Sequence, residues 1–275
     1  MRIALFQMTS GVDPAANAVL LQDAVRDAAA GGARMLFTPE MSGLLDRDRT
    51  RSAAHVVAEA DDIVLAAVRD TAAQAGIWVH LGSLALLGDD GVSRVNRGFV
   101  IDDQGGIRAR YDKIHLFDVD LASGESWRES AVYSAGGGPV LCETPPGALG
   151  MSICYDLRFP DLYRALSDAG ATLLAVPAAF TVPTGMAHWH VLLRARAIEA
   201  GAYVVAAAQV GVHEDGRATF GHSLVVDPWG EVVLDMGSEP GLGFAEIDPA
   251  RIGDVRARVP ALQHRRPIGP VEVRT

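Results

Sequence analysis

The sequence predicts an α/β protein in which helices lie outside two packed, mixed sheets: a four-layer α-β-β-α sandwich formed by residues 1–275 as one domain. Three observations carry this expectation. Strand-helix-strand units occur once in each half, without close sequence repetition. Short turns between consecutive strands, at Gly88-Asp89-Asp90-Gly91 and Asp102-Asp103-Gln104-Gly105-Gly106, bring antiparallel pairing into those units, so neither parallel nor antiparallel order holds throughout. No linker divides the halves, and packing helices onto both outer faces of two sheets buries every apolar face at once.

The elements follow in order. Arg2 to Met8 reads as a first strand. Asp13-Pro14 opens a helix that carries Ala16, Val19, Leu20, Ala24, Val25 and Ala28 and is ended by Gly31-Gly32. Arg34 to Phe37 is a strand, and Gly43 to Ala60 a surface loop with a short helix. From about Asp61 a helix places Ile63, Val64, Ala67, Val68 and Ala72 on its buried side. Strands follow at 77–87, 95–101 and 107–111, then a long irregular stretch, Phe117 to Gly138, whose length and position after Lys113 point to a functional loop. A buried strand, Ala148 to Ile153, precedes a helix at 161–169, a strand at 172–176, a loop at 177–184, a helix at 185–200 and a strand at 203–208. A hairpin of strands 222–227 and 231–234 turns at Pro228-Trp229-Gly230, and a last strand, 242–247, leads to a helix started by Asp248-Pro249 and stopped at Pro260.

Bulk properties exclude several classes. The net charge of -10, with no basic cluster beyond Arg265-Arg266, argues against a nucleic-acid or anionic-membrane surface. Two cysteines, Cys142 and Cys154, make no disulfide framework and suit a reducing compartment. The N-terminus lacks the long apolar core of a signal peptide, and no apolar run is long enough to span a bilayer. A cytoplasmic protein is expected.

Chemistry concentrates where strands end. Cys154 closes an apolar strand abruptly at a strand-to-helix elbow, a place that holds a nucleophile clear of its backbone and aims neighbouring amide N–H groups at the atom attacked. The helix start nearby is expected to favour a thiolate. A lone cysteine is more often inert core. Two further stretches change that balance: Thr38-Pro39-Glu40 follows one strand, and Tyr111-Asp112-Lys113 follows another. A Glu, a Lys and a Cys each placed just past a strand form the pattern of a site assembled at one sheet edge.

In these residues the chain resembles the nitrilase superfamily of carbon-nitrogen hydrolases. The family's Glu-Lys-Cys triad is matched by Glu40 in FTPEMS, Lys113 in YDKIHLFD and Cys154 in SICYDLRFP, and the similarity runs from RIALFQM to LQHRRP. The resemblance implies the nitrilase fold, no cofactor and no metal, and a C-terminal tail of about 260–275 that packs across a homodimer or higher homo-oligomer. It implies that Glu40 takes the Cys154 proton, that the sulfur attacks an amide carbonyl carbon, and that Lys113 and the Tyr155 backbone N–H hold the oxyanion until a thioester remains for water. Glu129 matches a second family glutamate beside the lysine. Arg158, Phe180 and Thr184 match substrate-touching positions of amidase members, although an internal Arg158–Asp156 ion pair and loop packing of Phe180 are the rival readings. Met186 stands where relatives usually have proline.

The segments from Leu193 to Glu199 and Ala206 to Gln209, with Gly221-His222-Ser223 and Val226 to Gly230, look most like deaminated glutathione amidases, with omega-amidases nearly as close. The implied reaction is hydrolysis of a primary amide in a small α-keto acid to a carboxylate and ammonia, a metabolite-repair activity. True nitrilases and other amidases share the triad, and a catalytically silent, partner-binding scaffold is the rival of a different class. A Cys-His enzyme built on His115, His188, His190 or His222 has no supporting context, and His188 and His190, two apart on a helix, face different directions and make no metal pair.

Overall fold

Side-chain alternation decides how the strands stack. A computed structural model describes residues 1–120, 124 and 126–274. The first half holds β1 (Arg2–Gln7), α1 (Pro14–Ala30), β2 (Met35–Phe37), the short α2 (Arg49–Ala53), α3 (Ile63–Ala75), β3 (Trp78–Leu87), β4 (Arg94–Ile101) and β5 (Ile107–Asp112). A small ladder of β6 (Asp118–Asp120) with β7 (Ser126–Arg128) precedes β8 (Leu141–Thr144), β9 (Gly147–Gly150), α4 (Pro160–Asp168), β10 (Leu173–Ala175), α5 (Val182–Ala200) and β11 (Tyr203–Ala206). The chain ends through β12 (Val210–Val212), β13 (Ala218–Phe220), β14 (Leu224–Val226), β15 (Val232–Asp235), β16 (Gly241–Glu246) and α6 (Pro249–Arg258).

Two six-stranded sheets result, in the orders β16-β1-β2-β3-β4-β5 and β15-β14-β11-β10-β9-β8. In each, three parallel strands form the centre and antiparallel strands the flanks, so both sheets are mixed as expected. Ile3, Leu5, Met35 and Phe37 point into the core shared with the second sheet, while Ala4 and Leu36 face the opposite way. Leu21 and Val25 of α1 and Val64 and Val68 of α3 cover that outer face. Leu162 and Leu166 of α4 and Trp189 and Leu193 of α5 cover the second sheet. The four layers are those the sequence predicts.

The helix signals hold, with local departures. Asp13 caps α1 by accepting from the Ala15 N–H at 2.9 Å, with Pro14 in the first turn where its missing N–H costs nothing. Ile63 is the first residue of α3 and is 56% exposed, so it is not on the buried face; Ala67 is half-buried, and Val64, Leu65 and Val68 take the core positions. Helix α5 begins at Val182, ahead of the expected Gly185, because Pro183 fits a first turn. The buried strand expected at Ala148 to Ile153 is β9, which ends at Gly150, while the sequence reading missed β8, its hairpin partner, and the hairpin β12–β13, whose strands are only three or four residues long. The expected functional loop at 117–138 contains β6, β7 and a single 3₁₀ turn, Glu129–Ala131; residues 121–123 and 125 lie outside the described residues.

Candidate active site

Glu40, Lys113 and Cys154 each stand a few residues beyond a strand, after β2, β5 and β9. The segment bearing Glu40 is fixed to β3 through Thr38, whose N–H donates to His80 O at 3.0 Å and whose Oγ1 accepts from the Gly82 N–H at 3.0 Å. Gly82 is required there: a Cβ would meet the Thr38 carbonyl oxygen at 2.2 Å. Lys113 is held by its N–H to Asn96 O at 2.9 Å. Cys154 adopts φ +49°, an uncommon left-handed conformation for a residue with a side chain, and its N–H donates to Pro177 O at 2.9 Å.

Asp156 anchors this elbow. Its fully buried carboxylate accepts from Ile153 N–H (2.9 Å), the Tyr111 hydroxyl (2.7 Å) and His115 N–H (3.0 Å). It is therefore not a partner for Arg158, and the ion-pair alternative does not hold. His115 also binds Asp156 through Nδ1 at 2.7 Å and stacks on Phe159, a supporting role.

The structure brings the three residues together with Glu129. Lys113 Nζ donates to Glu40 Oε1 at 2.8 Å and to Glu129 Oε2 and Oε1 at 2.8 and 3.1 Å. Glu40 Oε2 accepts the Ala179 N–H at 2.9 Å, and Glu129 Oε2 the Phe117 N–H at 2.6 Å. Asn96, which sequence reasoning missed, donates from Nδ2 to Glu40 Oε1 (3.0 Å) and Glu129 Oε1 (3.2 Å) and ties the carboxylates together. Its signal was available: a buried Asn in the middle of an apolar strand needs partners.

The electrostatics follow from burial in a dry cluster. Burial pushes the Glu40 carboxyl up, but the Lys113 ammonium and hydrogen bonds outweigh it and hold the carboxyl below its ordinary value. Burial works to strip the Lys113 proton, yet Glu129 and Glu40 keep the ammonium's pKa well above normal. For Cys154, burial and the Glu40 carboxylate raise the thiol well above its usual range, against the pull of Lys113. The expectation that the helix start favours a thiolate is corrected here. The elbow opens a five-residue 3₁₀ turn, Cys154–Arg158, and the adjacent carboxylate with desolvation decides the protonation state. The resting arrangement is a carboxylate, an ammonium and a protonated thiol.

These groups lie in a cleft of about 420 Å³ that Tyr155, Arg158, Phe180 and Thr184 also line. The Arg158 guanidinium lies 5.5 Å from the Phe180 ring centre and 3.2 Å from His188 Nδ1; no carboxylate among the described residues pairs with it. Phe180 packs on Trp189 at 4.7 Å, and the Thr184 hydroxyl is bonded to Thr181 at 2.8 Å, so both are partly engaged in holding the loop. Metal-ligating atoms gather elsewhere: Asp235 accepts from His190 and His222, each at 2.9 Å, and none of the three lines the cleft. His190 thus pairs with a histidine remote in sequence and not with His188.

Comparison with known proteins agrees with this geometry. The model of the carbon-nitrogen hydrolase family matches residues 2–257. The deaminated glutathione amidase of Yersinia enterocolitica is 38% identical over 269 residues, which is 96% of this chain and 92% of that protein. The crystal structure of the C. elegans NitFhit protein matches with TM-score 0.88 at 39% identity, covering 96% of this chain and 65% of the other. An amidase from Nesterenkonia sp. AN1, solved with acrylamide added at its active-site cysteine, matches with TM-score 0.78 at 31% identity over 94% of this chain and 98% of that one. By fold, by sequence and by the extent of the match, the chain belongs to the carbon-nitrogen hydrolase family, the nitrilase superfamily.

Proposed function

We propose that this protein is an amidase acting on a small α-keto acid of the deaminated glutathione type through a Cys154 thioester. The observation that carries the reading is the placement of Glu40 and Lys113 beside the Cys154 thiol, with Glu129 bonded to Lys113. A thiol held protonated beside an ionised carboxylate needs that carboxylate as its base. Glu40 takes the proton as sulfur attacks the carbonyl carbon. Lys113 and the Tyr155 N–H stabilise the oxyanion, each such donor being worth about a hundredfold or more in rate. Glu40 returns the proton to the leaving nitrogen, and a water that it then activates releases the acid. Glu129 keeps Lys113 charged and in place. Arg158, which has no carboxylate partner among the described residues, takes the carboxylate of the keto acid, with Phe180 and Thr184 shaping its side of the cleft.

The leaving group differs between the two candidate substrates. α-Ketoglutaramate carries a primary amide and gives ammonia, as the sequence reading expects. Deaminated glutathione carries a secondary amide at the same position and gives the amine of cysteinylglycine, so the primary amide and ammonia expected from the sequence do not hold for it. Purified protein incubated with each, with ammonia and cysteinylglycine both followed, orders them. Failure to hydrolyse either would remove the assignment. An omega-amidase would prefer α-ketoglutaramate. A silent, partner-binding scaffold would form no covalent adduct at Cys154 with an amide-directed reagent.

The same reading makes the protein a cytoplasmic metabolite-repair enzyme of a single domain, 1–275. Among the described residues no helix is long and apolar enough to cross a membrane. It also makes the protein a homodimer or higher homo-oligomer, with the tail of about 260–275 at the interface. Exposed Val191 and Ile198, seven residues apart on one side of α5, support such a contact.

A further inference from the structure

We propose that the cleft holds a second anion subsite, built by Arg47, Trp127 and Arg217, which takes a carboxylate carried by the leaving amine. The proposal rests on the amidase reading above and narrows its substrates to α-keto-acyl amides of short peptides that end in a carboxylate.

Two guanidinium groups lie over the Trp127 ring, that of Arg217 at 5.0 Å and that of Arg47 at 5.8 Å from its centre. All three residues line the cleft. One buried carboxylate, Asp215, serves both arginines, at 2.8 Å from Arg217 Nε and 3.8 Å from Arg47 Nε. Nearby arginines are matched one to one, Arg51 with Asp46 and Arg128 with Asp120. Arg49, also on the cleft wall, has no carboxylate partner among the described residues. Among the described residues, two guanidinium groups sharing one carboxylate, with Arg49 beside them, give the lining of this part of the cleft more cations than carboxylates.

The spacing fits a substrate charged at both ends. From Trp127 a row of rings runs to Phe117 (6.3 Å) and on to Tyr155 (5.1 Å), whose ring lies 5.9 Å from the Arg158 guanidinium. The two cationic positions are thus joined by a chain of three aromatic rings, with Cys154 adjoining Tyr155 in sequence. With the keto acid carboxylate at Arg158 and the scissile carbonyl at Cys154, the leaving nitrogen must face Glu40, its proton donor. The chain that carries Glu40 runs on along the cleft through Leu44 and Leu45 to Arg47. Two residues of peptide reach about 7 Å when extended, past the 5.1 Å step from Tyr155 to Phe117 and onto the Phe117–Trp127 step towards the arginines. A primary amide has nothing to place there.

The test compares three substrates on the wild-type enzyme: deaminated glutathione, the same molecule with its terminal carboxylate converted to a carboxamide, and α-ketoglutaramate. Loss of the terminal charge should lower kcat/KM by about 10- to 100-fold, mainly through KM, as expected for a hydrogen-bonded charge. In Arg217→Gln and Arg47→Gln, checked for folding by their melting temperatures, the ratio of carboxylate to carboxamide substrate should fall towards one. Equal kcat/KM for the two peptide substrates on wild type overturns the subsite, and does so whether or not the variants fold. Turnover of α-ketoglutaramate in that case leaves the amidase reading standing. Idleness on all three substrates removes both.

Discussion

His80 ties the acid stability of the fold to the strand that presents Glu40. It lies on β3, 1% exposed, paired in register with Phe37, and its carbonyl holds Thr38 two residues before Glu40. Neither ring nitrogen has a partner among the described residues, and burial lowers its pKa to about 3 from 6.5. A base with a depressed folded pKa stays neutral while the unfolded chain takes up a proton, so stability is complete above pH 6.5 and is lost as pH falls from there towards 3. At pH 5.0 the linkage amounts to about 2 kcal/mol, rising by about 1.4 kcal/mol for each further unit. His80→Leu removes this linkage together with two unpartnered polar atoms, whose burial costs about 1–3 kcal/mol. The variant should be at least as stable as wild type at pH 7.5, and its advantage should grow by about 2 kcal/mol at pH 5.0. Urea unfolding at both pH values measures this directly. Parallel losses in wild type and variant would refute the reasoning, because His213, which burial also lowers, is common to both proteins.

Three further perturbations address the cluster itself. Cys154→Ala should reduce amide hydrolysis to background and abolish the adduct mass on treatment with acrylamide, with melting unchanged to within a few degrees. Glu129→Gln leaves Lys113 with one carboxylate; kcat should fall by about a hundredfold while stability drops by about 1.5–3 kcal/mol, the worth of a hydrogen bond to a charged group. Steady-state kinetics and guanidinium unfolding separate those two effects. Asn96→Leu removes a hydrogen bond that helps to lower the Glu40 carboxyl, so that carboxyl moves up and the acid limb of the kcat/KM profile should shift to higher pH. An unmoved limb would show that another group governs it.

Much of the architecture was legible because it rests on local signals. Asp13-Pro14 and Asp248-Pro249 start helices as helix-cap chemistry demands, and the turn at Pro228-Trp229-Gly230 closes β14 on β15 with Asp227 accepting from Trp229 and Glu231. Strands of three residues, such as β12 and β13, carry too little pattern to register. At the site, Glu40, Lys113 and Cys154 announce themselves by their placement after strands. Asn96, Trp127, Arg47 and Arg217 do not, since their meaning comes from partners far off in the chain. The protonation state of Cys154 was misjudged for the same reason: a helix start is visible in sequence, whereas the carboxylate beside the sulfur is a product of tertiary packing.

The pinning of Glu40 by the Ala179 amide, and of the Cys154 amide by the Pro177 carbonyl, has a consequence for biosynthesis. Both braces come from the segment that follows β10, so Glu40, Lys113 and Cys154 have all left the ribosome before the parts that lock them in register. A polypeptide cut short before Pro177 therefore carries Glu40 and Cys154 without either brace. The register of the cluster is complete only when the late-emerging segment closes onto the earlier half.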